Sequence, residues 1–310
     1  MPPFDGVFAA AVTPSRADAF QLDPGAALEV IDFLNAHGVR GIALFGATGE
    51  FLHFPAEERI RLAHLAIQRS QVPVLVNATH SCFEEAQKIA REAEASGAAG
   101  ILLMPPYFFR YSAEDIREFL LCLRQQIRDD TRLLLYNLPA YNNEIPLEVA
   151  FELIAEGVVD GIKDSSGDWD YLTQLLAKRR KRDFALLLGN DNLFVRGFAA
   201  GADGAISGCA CALPELMTAL QQAVQQSREA VVRRLTARLG EFIRWIETFP
   251  GPYGIREAMA ERGLTMGKRS VPLAPSTEQR LAEFRQWFRE WLPGVIKESQ
   301  QPLPETQLAG

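Results

Sequence analysis

Eight short apolar runs, each followed by a stretch with helical spacing, fill the first 225 positions of this 310-residue chain. The runs are Val7–Val12, Gly41–Phe45, Val72–Asn77, Gly100–Met104, Arg132–Tyr136, Val158–Lys163, Phe184–Leu188 and Gly204–Ser207. They are continuously apolar rather than alternating, as strands are when both faces of a parallel sheet are covered. Between and after them, Pro24–Ala36, Pro55–Arg69, Phe83–Ala95, Ser112–Gln126, Pro146–Ala155, Asp168–Lys178, a segment from about 192 to 200, and Pro214–Gln225 read as helices. Asp23 with Pro24, Ser81 with Glu84, and Ser112 supply expected N-terminal caps. Eight such units with short links predict an α/β fold, a closed (β/α)8 TIM barrel. An open doubly wound sheet is the alternative. It would place a glycine-rich phosphate turn after its first strand, and Ala11-Val12-Thr13-Pro14 is not one.

From Arg228 only helical periodicity remains, in VVRRLTARLGEFIRWIETF, YGIREAMAERG and EQRLAEFRQWFREWL. The expected organisation is a barrel over 1–225, a C-terminal helical extension over 226–296 and a mobile, polar tail over 297–310. Trp245, Phe284, Trp287 and Trp291 are expected to pack against the barrel or a neighbouring subunit rather than bind a cofactor.

The chain is 48% apolar with a net charge of -7, which gives it a core and argues against a general nucleic-acid binder. The basic run Lys178–Arg182 reads as a helix C-terminus. Cys82, Cys122, Cys209 and Cys211 have neither disulfide-framework nor zinc-ribbon spacing, and His37, His53, His64 and His80 do not pair for a metal. The N-terminal segment MPPFDGVFAAAVTPS lacks the basic region of a signal peptide, and no apolar run reaches the length of a membrane span. A reduced, soluble, cytoplasmic protein is expected, with no membrane or nucleic-acid partner.

Barrel chemistry sits at the C-terminal ends of strands. Those ends carry Thr13, the turn GATGE (Gly46–Glu50), Asn77, Pro105-Pro106-Tyr107, Tyr136, Lys163, Gly189-Asn190-Asp191 and Ser207. Of the six lysines, only Lys163 ends an apolar strand. Burial at such a position disfavours an ammonium, and a neutral amine attacks a ketone to give an imine. Tyr136 ends the adjacent strand and can move protons at the same mouth. Backbone N–H groups of the GATGE turn, helped by the Thr48 hydroxyl, can converge on a carboxylate. Taken singly, each has a plain reading: a salt-bridged lysine, a tyrosine capping the core, an ordinary turn. Together they favour imine chemistry.

GATGE at 46–50, PPYF at 105–108, YNLP at 136–139, GIKDSSGD at 161–168 and GADGAISG at 201–208 resemble the motifs of the N-acetylneuraminate lyase and dihydrodipicolinate synthase family of pyruvate-dependent class I aldolases, in order and spacing. The resemblance implies the same barrel with its helical extension, usually as a homotetramer, and no cofactor beyond a covalent lysine imine. It implies that Lys163 is the Schiff-base lysine and Tyr136 the acid/base phenol. Ala47 and Thr48 would hold the 2-oxo acid carboxylate, Gly189 and Asp191 would touch the distal part of the substrate, and the Ile206 backbone would lie near the lysine. Tyr107 and Tyr141 are further substrate-binding candidates; no residue is assigned to a metal.

The departures bear on the substrate. Dihydrodipicolinate synthases carry a hydroxyl where this chain has Ala47, usually a second tyrosine where it has Phe108, and an arginine where it has Tyr141. Sialic-acid lyases place a carboxylate where it has Asn192. What the resemblance leaves is a lyase cleaving or forming a 2-keto-3-deoxy sugar acid or related 2-oxo acid, its partners pyruvate and an aldehyde, with Tyr141, Asn142 and Asn143 lining a pocket for uncharged polar groups. The alternatives are a dehydratase working through the same imine, 4-hydroxy-tetrahydrodipicolinate synthase (disfavoured by Ala47, Phe108 and Tyr141) and a non-catalytic 2-oxo acid sensor.

Overall fold

The computed structural model describes residues 4–179 and 183–300. Eight parallel strands close into a barrel in sequence order: β1 (Gly6–Ala10), β2 (Gly41–Leu44), β3 (Val74–Asn77), β4 (Gly100–Leu103), β5 (Leu133–Asn137), β6 (Gly161–Asp164), β7 (Ala185–Leu188) and β8 (Gly204–Ser207). Closure is made by β1 and β8, with Phe8 opposite Ile206. Every strand residue is buried, which is why the runs lack alternation: one face fills the barrel and the other meets helices. The open-sheet alternative is excluded by that closure.

The helices alternate as the spacing predicts: α1 (Pro24–Ala36), α2 (Ala56–Arg69), α3 (Phe83–Ala95), α4 (Ala113–Arg124), α5 (Leu147–Ala155), α6 (Trp169–Arg179) and α7 (Phe194–Ala200). After β8 come a short α8 (Cys209–Ala212), absent from the sequence reading, and α9 (Pro214–Gln225). Asp23 caps α1 by accepting from Ala26 N–H, and Ser112 forms a capping box with Asp115 on α4. The cap expected from Ser81 and Glu84 does not form. The N-cap of α3 is Cys82, without a side-chain bond, because the Ser81 hydroxyl is taken by the strand-end loop: it donates to Tyr107 O at 2.7 Å and accepts from Tyr107 N–H at 2.8 Å. In the basic run, Lys178 and Arg179 do end α6; positions 180–182 lie outside the described residues.

The extension comprises α10 (Glu229–Ile246), α11 (Tyr253–Glu261) and α12 (Pro275–Gln300). Its aromatics pack on one another, with Trp245 5.7 Å from Trp287, Trp287 stacked on Trp291 at 4.7 Å, and Phe242 meeting Phe284 and Phe288, while α10 and α12 both lie against α9 of the barrel. Helix α12 continues through Pro293 to Gln300, so its end lies beyond the boundary expected at 296. A proline inside a helix removes one backbone bond and reads as a stop. Here tertiary contacts offset it, since Val295 is buried and Glu298 pairs with Arg238 of α10 at 2.5 Å. The remainder of the expected tail, 301–310, lies outside the described residues. Among the described residues no helix is long and apolar enough to cross a membrane.

Candidate active site

Lys163 sits on β6 directly in register with Tyr136 on β5, so the two side chains leave neighbouring strands at the same level. Both are nearly fully buried. Lys163 Nζ lies 3.9 Å from the centre of the Tyr136 ring, against its face. Among the described residues Lys163 forms no ion pair, so the salt-bridged reading of this lysine has no partner to support it. The adjacent carboxylate, Asp164, is engaged elsewhere. It accepts from Asn137 Nδ2 at 2.9 Å and from the Ser166 hydroxyl at 2.9 Å, and burial raises its pKa. Successive strand residues point to opposite faces, which separates Asp164 from the lysine.

Gly189, at the end of β7, closes over the lysine. Its N–H donates to Asp164 O at 2.7 Å, and a Cβ there would overlap Ser165 Oγ and come within 2.9 Å of Lys163 Cε. The Ser165 hydroxyl is buried beside that aliphatic stem, without a hydrogen-bond partner among the described residues. Nothing in the sequence reading singled it out. Its signal was its place two residues after the lysine, on a segment whose other hydroxyl, Ser166, is spent on Asp164.

The GATGE turn is held tightly yet leaves backbone donors free. Gly49 N–H donates to Gly46 O and Glu50 N–H to Ala47 O, closing the turn, while Thr13 Oγ1 donates to Gly49 O at 2.8 Å. Ala47 and Thr48 N–H meet no acceptor among the described residues. Thr48 Oγ1 borders Gly208, just past β8. Both flanks carry positive φ on non-glycine residues, 59° at Phe45 and 51° at Glu50, a conformation disfavoured for bulky side chains.

Two buried arginines lie behind this turn. Arg256 of α11 pairs with Glu50 Oε2 at 2.8 Å and donates to Thr13 O at 2.9 Å and Met266 O at 2.5 Å. Arg59 of α2 donates to Asn77 O at 2.6 Å and Thr79 O at 3.1 Å. Burial pushes its pKa down to about 10, so it remains cationic at neutral pH. Arg59 falls on the same helical spacing as the buried Leu62, Ala63 and Ala66. A charge on an apolar stripe is a readable sign of a buried cation.

A cleft of about 320 Å³ opens at the strand ends, lined by Ala47, Phe51, Tyr107, Leu138, Tyr141 and Asn142 among others. Lys163 and Tyr136 are not on its lining. Ala47, Tyr107 and Tyr141 are thus brought together. Tyr141 and Phe108 are 77% and 87% exposed, so as they stand both are rim residues rather than parts of an enclosed pocket. Asp191 follows β7 and accepts from Cys209 N–H at 3.1 Å, which ties it to α8. Ile206 is buried within β8, opposite Phe8. Asn142 and Asn143 lie beside Tyr141 on a pocket wall as expected, but not as free donors. Their amides are spent on the loop after β4: Asn142 Nδ2 donates to Pro105 O, and Asn143 Nδ2 to Pro106 O and Phe109 O, each at 2.8 Å. Among the described residues no group of three or more His, Cys, Asp or Glu side chains is placed to hold a metal ion.

Residues 3–290 match the Dihydrodipicolinate synthetase family. The chain is 28% identical over 295 residues to the 4-hydroxy-tetrahydrodipicolinate synthase of Methanosarcina barkeri, covering 95% of this chain and 100% of that one. Its fold overlays the 4-hydroxy-tetrahydrodipicolinate synthase of Methylacidiphilum fumariolicum SolV with a TM-score of 0.86 at 25% identity, over 95% and 99% of the two chains. It also overlays YagE, a prophage protein of the dihydrodipicolinic acid synthase family from E. coli K12 solved in complex with pyruvate. There the TM-score is 0.85 at 25% identity, over 93% and 99% of the chains.

Proposed function

The chain belongs to the dihydrodipicolinate synthetase family, whose members are class I aldolases acting on carbon–carbon bonds, and from that membership we propose a Schiff-base lyase with Lys163 as its imine-forming residue. Its substrate is a 2-keto-3-deoxy sugar acid or related 2-oxo acid, with pyruvate as the imine-bound half. The observation that carries this reading is a buried lysine that forms no ion pair among the described residues, in register with Tyr136 and 3.9 Å from its ring.

The reaction follows from those groups. The Lys163 amine adds to the 2-keto carbon, and the carbinolamine loses water to give an iminium. Tyr136 carries the protons of that step and takes the proton from the substrate hydroxyl at C4. The C3–C4 bond then breaks, its electron pair flowing into the iminium. An aldehyde leaves, and an enamine remains on the lysine. Protonation at C3 and addition of water return pyruvate and the free amine. The free N–H groups of Ala47 and Thr48 hold the carboxylate throughout, Asp191 is the group available to distal hydroxyls, and no other cofactor is required. Homotetramer assembly belongs to the same reading, and the exposed Leu52, Phe108, Phe109 and Tyr141 at the rim favour a covered surface there.

Tyr136→Phe is expected to lower kcat by about 10²–10⁴-fold while imine trapping by pyruvate persists at a slower rate. Gly189→Ala is expected to lower kcat/KM by roughly 10²-fold, because the added methyl displaces Lys163 Cε and Ser165 Oγ from the positions they share. Both are read by steady-state kinetics on the substrate identified below.

A second reading is supported by the names of the relatives, which are 4-hydroxy-tetrahydrodipicolinate synthases. Against it stand Ala47, Phe108 and Tyr141. Pyruvate supplied with glyceraldehyde, glycolaldehyde or aspartate semialdehyde, and product analysis of 2-keto-3-deoxygluconate, decide between them. Condensation with a hydroxyaldehyde and release of free pyruvate support the proposed lyase. Turnover confined to aspartate semialdehyde overturns it in favour of the synthase. A product that keeps the whole carbon skeleton minus water indicates the dehydratase, and binding without turnover across the panel the sensor.

A further inference from the structure

We propose that Arg59 is a positioning residue for the substrate carboxylate: its buried guanidinium anchors both ends of the 46–50 turn and so aims the free N–H groups of Ala47 and Thr48. This rests on the reading of that turn as the carboxylate cradle.

The two residues that bracket the turn, Phe45 and Phe51, both dock on the same cation. Arg59 Cζ lies 5.6 Å from the Phe45 ring centre and 5.4 Å from that of Phe51. A guanidinium over an aromatic face is attracted to it, and more strongly when both are out of water. Phe45 is fully buried and Phe51 nearly so. The same guanidinium reaches the neighbouring strand end, donating to Asn77 O and Thr79 O. Asn77 in turn donates through Nδ2 to Phe45 O at 2.7 Å. The Phe45 backbone is thus fixed from two sides at φ 59°, a value a phenylalanine keeps only where its surroundings over-determine it. Thr79 Oγ1 extends the network by donating to Asn77 Oδ1 at 2.6 Å and accepting from Met104 N–H at 2.9 Å. No carboxylate pairs with Arg59 among the described residues, and its Nε is buried without a partner. A cation held at that cost, with all its polar contacts on strand-end carbonyls, is placed to fix backbone rather than to make a salt bridge.

The test uses imine formation by pyruvate, trapped with borohydride, and compares pyruvate with methyl pyruvate, which has the same ketone but no carboxylate charge. Arg59→Met is expected to raise the half-saturating pyruvate concentration about tenfold, with methyl pyruvate within twofold of the unaltered chain. Arg59→Lys, which keeps the charge over the two rings but loses the fork, is expected to fall between them. A pyruvate value within twofold of the unaltered chain, or a parallel rise for both ketones, overturns the proposal. If Arg59→Met does not fold, Phe51→Leu is measured in its place. It removes one of the two docked rings, and a selective rise for pyruvate is again the supporting result, a parallel or absent rise the opposing one. Failure of the imine reading itself shows separately, as no adduct from either ketone in the unaltered chain, and it removes this proposal with it.

Discussion

Lys163→Ala is expected to lower kcat by at least about 10⁴-fold, equivalent to roughly 5.5 kcal/mol of barrier, while the chain keeps its fold. The size follows from the role. In the proposed mechanism the iminium accepts the electron pair of the breaking bond, and no other lysine lies on a described strand to replace it. Structural integrity follows from the surroundings. Among the described residues Lys163 has no ion pair to orphan, and alanine at its place leaves the Asp164–Asn137–Ser166 bonds intact. Tyr136 loses the side-chain nitrogen at its ring face but keeps its strand position, so the melting temperature is expected to move by only a few degrees. Circular dichroism and thermal unfolding check the fold, and single-turnover kinetics check the rate.

Breaking the Glu50–Arg256 pair is expected to have the largest effect on stability. Both side chains are almost fully inaccessible, at 2% and 3%. Arg256→Met leaves the buried Glu50 carboxylate with only Ser270 and His53 near its other oxygen and removes the bonds to Thr13 O and Met266 O, at an expected cost of about 3–5 kcal/mol. Glu50→Gln leaves the arginine its carbonyl partners and should cost less. The double variant should be less destabilised than the sum of the two, because neither charge remains unpaired. Denaturant unfolding of the four proteins measures this. Since the pair joins α11 to the turn that carries Ala47 and Thr48, Arg256→Met should also weaken pyruvate binding. That makes the C-terminal extension part of the site's support, although none of its helices carries a proposed catalytic group.

The barrel was legible because burial on both faces leaves an unambiguous mark, eight continuous apolar runs at regular intervals. Strand and helix ends were less so. Gly204–Ser207, Pro24–Ala36 and Pro214–Gln225 were read to the residue, where a glycine or proline set the boundary. Val158–Lys163 was begun three residues early, because an apolar link into a strand looks like the strand itself. The short α8 has no polar face to give it a period. At the site, the strand-end rule found Lys163 and Tyr136, which the register then placed side by side. It missed what acts from behind the turn. Arg59 and Arg256 belong to helices and reach the site by packing, and no spacing along one chain shows which carbonyls a buried guanidinium will meet. For Asn142 and Asn143 the place was legible and the bonding was not: an amide near a mouth looks like a free ligand group until its partners, here Pro105, Pro106 and Phe109, are known.

The central claim, that Lys163 forms an imine with a 2-oxo acid, is tested most directly by mass spectrometry. The protein is incubated with pyruvate, reduced with borohydride, digested and mapped. The predicted result is one reduced pyruvyl group per chain, on the peptide containing Lys163, and none on Lys163→Ala. No adduct, or an adduct that persists on another lysine in Lys163→Ala, would contradict it.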